Sequence, residues 1–313
     1  MKAKLLWIAA LLLSAASTSY AAQSCRGPGV WLQVLGSGGP EITDQRASSA
    51  YLVWQDGKAR ILVDMGPGSM LRYEQSGARI EDLDVILLTH LHVDHSADLP
   101  TLIKAAFFTE RKRDLPIYGP TGNTQMPDTV AFVRALFAAP TGAFHYLNDF
   151  LTGDAAFRLL PNNVSAEGKT VMSIATGSGY KITAVPVHHG AIPALAWRID
   201  IAERALAFSG DMNGENQTLS KLAAGVDLLV AHHAVPQDAK GVARNLHMPP
   251  SVIGEIAAAA KVKQLVLSHR MERTLGREKE SEQEIRKHYA GPIAFADDGQ
   301  CFSVVMEPGI NGR

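Results

Sequence analysis

Thr89-His90-Leu91-His92-Val93-Asp94-His95 follows directly on the apolar run Val85-Ile86-Leu87-Leu88. A short aliphatic run bounded by polar residues reads as a buried strand, so the histidines begin where a strand gives way to a loop. On extended backbone, side chains two apart point the same way, which lets His90 and His92 reach one metal ion together. Asp94 and His95 turn into the next element and can serve a second ion. Imidazole with carboxylate suits zinc, with iron or manganese as competitors.

Outward from this segment the chain alternates strands and helices. Residues 30–35, 50–54, 60–63 and 84–88 read as strands, three of them punctuated by Gly or Asp-Gly turns. Residues 97–108 and 128–138 read as helices. The second half repeats the logic, with strands at 181–187, 194–201, 205–208, 228–231 and 264–267, helices at 250–260 and 280–289, and closing strands near Ile293 and Phe302. This is an α/β pattern that suits two sheets packed face to face with helices outside.

Composition sets the outer bounds. Of 313 residues 46% are hydrophobic and 19% charged, which excludes disordered, collagen-like and coiled-coil classes. A formal charge of −1 argues against a general nucleic-acid binder. Two cysteines cannot build a four-thiolate zinc site. At the N-terminus, Lys2 and Lys4 precede an apolar run over residues 5–13 and a small-residue stretch, which reads as a signal peptide over residues 1–21 cleaved before Ala22. The run is too short for a comfortable membrane span, and Cys25 lacks a leucine-led lipobox, so no stable membrane anchor is expected. Cleavage removes two of the 30 basic residues and no acid, leaving 28 against 31 acids, a formal −3. The expected location is periplasmic or secreted, with residues 22–313 as the mature domain. There Cys25, before the first strand, and Cys301, opening the last, are slightly more to be expected bridged than free.

The His-x-His-x-Asp-His segment resembles the metallo-β-lactamase superfamily, and the likeness runs from Leu35-Gly36-Ser37-Gly38-Gly39 to Ala296-Asp297-Asp298-Gly299. It implies a four-layer αββα sandwich and a metal set of His90, His92, Asp94, His95, His189, Asp211 and His269. Asp211, in Ser209-Gly210-Asp211, matches the metal-bridging aspartate, and His269, in Leu267-Ser268-His269, the last histidine ligand. Asp64, in Leu62-Val63-Asp64-Met65-Gly66, matches the acid that supports the ligands from behind. His188 and His189 are adjacent; motif register favours His189, and strand alternation allows only one to face the metals, which leaves His188 for support or packing. His232 and His233 follow another core strand, and either can approach the site, with His232 the candidate for support from behind. His145 and His288 carry no motif and read as surface or packing residues.

Within the superfamily the chain resembles the ribonuclease Z-like branch, which includes phosphodiesterases. His247, in Asn245-Leu246-His247-Met248-Pro249-Pro250, is similar to a histidine of that branch that protonates the leaving group, although Met248-Pro249 replaces Ser-Thr. The resemblance implies two divalent ions, zinc first and manganese or iron as alternatives, sharing Asp211 and a bridging hydroxide, with His247 and Asp94 as catalytic residues. The implied activity is hydrolysis of a phosphodiester or related small ester. A lactonase, an arylsulfatase-like esterase and a non-hydrolytic metal-binding redox protein remain as alternatives. His189 and Asp211 stand 22 positions apart, too close for the inserted arm that grips tRNA. With the acidic mature charge, this gives the expectation of a small-molecule ester substrate and no tRNA or other nucleic acid. Seven of the ten phenylalanines fall between residues 107 and 157, where they either fill a local core or wall the mouth of the site. Substrate identity and oligomeric state are not encoded in these patterns.

Overall fold

The computed structural model of the chain describes residues 25–177 and 179–304, so the leader expected at residues 1–21 lies outside the described residues. The chain opens with a meander, β1 (Val30–Gly36), β2 (Ala50–Gln55) and β3 (Lys58–Val63). Asp56 and Gly57 turn β2 into β3 with φ of 49° and 76°, the left-handed pair that a two-residue hairpin of native twist requires. From β3 onward the strands run parallel, and each crossover leaves helical structure outside the sheet: α1 (Ser69–Ser76), β4 (Val85–Leu87), α2 (Val93–Ser96), α3 (Leu99–Ala106), β5 (Leu115–Pro120), α4 (Thr129–Phe137), α5 (Asp149–Thr152) and β6 (Leu159–Val164). A second sheet follows with β7 (Met172–Gly177), β8 (Tyr180–His189), β9 (Ile192–Ile201) and β10 (Arg204–Phe208), then α6 (Thr218–Leu222), β11 (Leu228–His232), α7 (Gly241–Leu246), α8 (Pro250–Ala259), β12 (Gln264–Ser268), α9 (Glu278–Arg286) and β13 (Ile293–Phe295). Finally β14 (Cys301–Ser303) returns to pair antiparallel with β1. Among the described residues the sheet orders are β14-β1-β2-β3-β4-β5-β6 and β13-β12-β11-β10-β9-β8-β7.

Alternation along the strands divides the apolar residues among three cores. Tyr51, Val53, Ile61 and Val63 face inward and meet Leu195, Trp197, Leu206 and Phe208 of the other sheet. Leu52, Trp54 and Leu62 point the other way, onto Tyr73, Leu102, Ile103 and Phe137 of the helical layer. On the far side, Ala207, Leu229 and Leu267 pack against Leu219, Ile253 and Ile285. This is the αββα sandwich, and buried alternation on both faces of both sheets is what produces it. Two hydrogen bonds stitch the sheets together beside residue 89: Trp197 Nε1 donates to the Leu88 carbonyl at 3.1 Å, and the Leu195 amide to the Thr89 carbonyl at 2.9 Å.

The strand–helix pattern read from sequence differs from the structure in a few places. Strands β5, β6 and β7 and helix α1 carry no clear signal: β5 is interrupted by Pro116 and Pro120, and β6 and β7 close the open edges, where Pro161 and a weak apolar pattern are tolerated. The helix expected at 97–108 is the shorter α3, which begins only after Asp98; that residue separates it from α2 and accepts the Met70 amide at 3.0 Å, and Pro100 stands in its first turn. Cys25 and Cys301 are bridged, with Cα atoms 5.6 Å apart.

Candidate metal centre

Parallel strands deliver their loops to one end of the sandwich, and that is where the marked residues gather. His90, His92, Asp94 and His95 follow β4; Asp211 follows β10; His232 ends β11; His269 follows β12; and His189 ends β8. Asp64, after β3, and His269 are non-glycine residues with φ of 56° and 53°. Left-handed backbone at such residues costs about 1–3 kcal/mol each and persists only where the surroundings enforce it. For Asp64 they do: its carboxylate accepts the Thr89 amide and hydroxyl, each at 2.7 Å, and lies 2.8 Å from His95 Nδ1.

Asp211 stands at the middle. Its Oδ2 lies 3.6 Å from His189 Nε2, 3.7 Å from His95 Nε2 and 3.9 Å from His90 Nε2. Its Oδ1 lies 3.4 Å from His269 Nε2 and 2.7 Å from His232 Nδ1. On one side, His90, His92 and His189 bring ligand atoms within 4.8 Å of one another; on the other, His95, Asp211, His232 and His269 do the same. Asp94 Oδ2 joins the second group, 3.2 Å from His269 Nε2 and 3.4 Å from His95 Nε2. His247 lies close to Asp211 as well, Nδ1 to Oδ2 at 3.8 Å, and forms a third overlapping group with His189 and Asp211.

The neighbours of His232 tell its role apart from theirs. With Nδ1 on Asp211, its Nε2 is 3.0 Å from the Tyr51 hydroxyl, so both ring nitrogens are engaged. Tyr51 carries no motif and sits in an apolar strand; only the packing of one sheet on the other brings its hydroxyl to the site. His189 Nδ1 is fixed by the Leu246 carbonyl at 2.9 Å, which turns Nε2 toward Asp211. His188 occupies the opposite face of β8, and its ring makes no hydrogen bond, ion pair or ring contact with the cluster. His145, exposed, has Nδ1 3.2 Å from the Gly142 carbonyl, and His288 lies 3.7 Å from Glu255.

The electrostatics fit a cation. Burial opposes charge on Asp211, yet His269, His247 and His95 hold its carboxyl well below the usual range. Burial likewise opposes charge on His95, but Asp94, Asp64 and Asp211 hold its pKa well above the ordinary value. Burial pushes His90 well below 6.5 and His232 down to about 4. With Nδ1 on Asp64, His95 Nε2 is completely buried without a hydrogen-bond partner and faces two carboxylates. An orphaned imidazole nitrogen among carboxylates is costly alone and is the donor set a divalent ion takes. Asp64→Asn should therefore lower metal affinity about 10- to 100-fold, measured by competition with a chromogenic chelator. An unchanged affinity would remove Asp64 from the support of His95.

His233 lies apart from the cluster. Buried behind it, Nε2 is 2.9 Å from Ser281 Oγ, and burial lowers its pKa to about 4. The unfolded chain protonates this imidazole near 6.5 while the folded chain keeps it neutral, so the unfolded state binds more protons between those values. Stability from this residue is present above about pH 6.5 and falls as pH drops toward about 4. His233→Gln should flatten that part of the Tm–pH curve; parallel curves for variant and wild type would contradict it.

A family model for the beta-lactamase superfamily domain matches residues 59–270, a span that holds every one of these ligand candidates. The chain belongs to the metallo-β-lactamase superfamily. It is similar to the protein called ribonuclease Z from Mycobacterium sp. (strain KMS), 31% identical over 247 residues that cover 75% of this chain and 82% of the relative. In fold it is similar to human tRNase Z, short form, with a TM-score of 0.67 at 21% identity, over 88% of this chain and all of the other (100%). It is also similar to the metallo-beta-lactamase fold protein YhfI from Bacillus subtilis, with a TM-score of 0.64 at 20% identity over 87% and 98%. As a hydrolase of the ribonuclease Z-like branch of the metallo-β-lactamase superfamily, the chain corrects one expectation. The absence of any nucleic-acid partner does not hold, because its relatives bear the name of a ribonuclease. β9 and β10 do fill the interval between His189 and Asp211. A short interval and a near-neutral total charge, however, describe neither the local field at the site nor the bond cleaved there.

The seven phenylalanines divide. Phe137, Phe150 and Phe157 are buried in the outer core, Phe132 and Phe144 pack on it half-buried, and Phe107 and Phe108 are exposed.

Proposed function

We propose that this metallo-β-lactamase superfamily hydrolase is exported and cleaves phosphodiesters with two divalent ions, zinc first among them. The observation that carries the reading is the placement of Asp211, one carboxylate within reach of His90 and His189 on one side and of His95 and His269 on the other. His90, His92 and His189 would hold one ion, Asp94, His95 and His269 the second, with Asp211 common to both. Ions there would supply Lewis-acid polarisation of the scissile group and activate a water for attack at neutral pH.

The rest of the work falls to the side chains. Asp64, held by Thr89, keeps His95 Nδ1 engaged and Nε2 forward. His232, backed by Tyr51, fixes the rotation of the Asp211 carboxylate. His247 turns Nδ1 toward Asp211, which leaves Nε2 for a departing oxygen. Burial, against the pull of Asp211, lowers its pKa to about 3, so the ring is neutral at pH 7 and serves as an acid only where the bound anion raises that value. The ribonuclease Z relatives support phosphodiester as the bond class and place RNA among the substrates to be tried. The bridge from Cys25 to Cys301 supports an oxidising compartment, and with it the leader over residues 1–21 and a mature domain over 22–313.

Elemental analysis should find about two divalent ions per chain, removable by a strong chelator together with activity. Bis(4-nitrophenyl) phosphate and a precursor tRNA should turn over faster than lactone, sulfate ester or carboxylic ester. A faster sulfate ester or lactone, or bound iron with oxygen consumption, would replace the reading. N-terminal sequencing of protein from the cell envelope tests export, which a retained Met1 in the cytoplasm would refute.

A further inference from the structure

A groove of about 790 Å³ runs between α3 and α4 and shares a wall with the metal-binding loop, since Leu91 and Val93, interleaved with His90, His92 and Asp94, line it. Its floor is one stripe of helical spacing, Ala97, Thr101, Lys104, Ala105 and Phe108, and Phe132 and Phe144 close the far side. Val93 and Phe108 are 67% and 75% exposed, large apolar surface left to water beside the site. Volume and lining are those of a small-molecule site. Lys104 is the cation in this wall. Its Nζ lies 4.6 Å from the Phe107 ring and 4.9 Å from the Phe108 ring, and it forms no carboxylate ion pair among the described residues. A cation held over aromatic faces and outside any such ion pair is complementary to an anion.

We propose that this groove binds the non-reacting arm of the substrate, an apolar chain or ring that ends in an anionic group, with the anion at Lys104 and the apolar body along Phe108, Phe132 and Phe144. Along α3, Pro100 and Lys104 both line the groove one helical turn apart, about 6 Å, which sets the least length of the arm. The proposal rests on the phosphodiesterase reading for the position of the scissile bond alone; occupancy of the groove needs no turnover.

The test is a series of 4-nitrophenyl ω-carboxyalkyl phosphates with arms of increasing length. In the wild type kcat/KM should rise about two- to fourfold per methylene until the carboxylate reaches Lys104. Capping that carboxylate as its methyl ester should cost about fivefold, a preference that Lys104→Gln removes. Ala105→Trp, at an exposed position, narrows the groove and should flatten the series. In parallel, 8-anilinonaphthalene-1-sulfonate, an aromatic body with one sulfonate, is titrated by fluorescence into the holoenzyme and both variants, with Tm checked for intact folding. Its affinity should fall at least about fivefold in each variant. A flat length series in the wild type, or dye affinity unchanged by Ala105→Trp, overturns the groove as a binding site. Loss of dye binding in both variants from a protein that cleaves no phosphodiester upholds the groove and overturns the phosphodiesterase reading instead.

Discussion

Asp211→Ala is expected to leave less than one tightly bound metal ion per chain and to lower kcat/KM by at least about 1,000-fold. Loss of a partner that merely orients a ligand already costs about 10- to 100-fold, and Asp211 is the carboxylate within reach of both histidine groups. The variant also leaves imidazoles facing one another, since the His95–His269 and His232–His269 ring centroids are 5.2 Å and 4.9 Å apart. Asp211→Asn separates the two effects, because it can keep a hydrogen bond to His232 while losing the charge. Elemental analysis and rates on one preparation decide the matter; an unaltered metal count and rate in Asp211→Ala would take the residue out of the centre.

His247→Ala should behave differently, keeping its metal while kcat falls by about 100- to 10,000-fold on a substrate with a poor leaving group. The loss should shrink for nitrophenolate, which departs with little need of a proton. His247 is also near enough to His189 and Asp211 to be a ligand in its own right. Metal loss in His247→Ala would assign it that role, and an equal loss on good and poor leaving groups would make it a shaping residue.

Much of this candidate centre is legible in the sequence because the residues that gather there stand at strand ends, where apolar runs stop abruptly at His or Asp. The run Val85-Ile86-Leu87-Leu88 announces His90, and Gln264-Leu265-Val266-Leu267 announces His269. Alternation on β8 likewise separates His189 from His188. What sequence could not supply is contact across the seam. Tyr51 reads as one more strand aromatic, Thr89 as a loop residue and Trp197 as core, and their hydrogen bonds to His232, Asp64 and the Leu88 carbonyl exist only once two distant segments are packed. The partner expectation failed for a related reason: total charge and interval length are sums over the chain, whereas recognition depends on where groups lie.

The division of the candidate ligands between the sheets has a mechanical side. Neither sheet owns a complete set: one contributes His90, His92, Asp94 and His95, the other His189, Asp211 and His269. An ion bound by both would act as a rivet through the sandwich, placed beside the two hydrogen bonds that already join the sheets at Leu88 and Thr89. Sliding of one sheet on the other by about an ångström, too little to expose the inner core, would pull the donors out of register. Metal retention is thus a sensitive gauge of sheet alignment, and destabilising changes far from the site, deep between Tyr51 and Phe208, should show as lost metal before they show as unfolding.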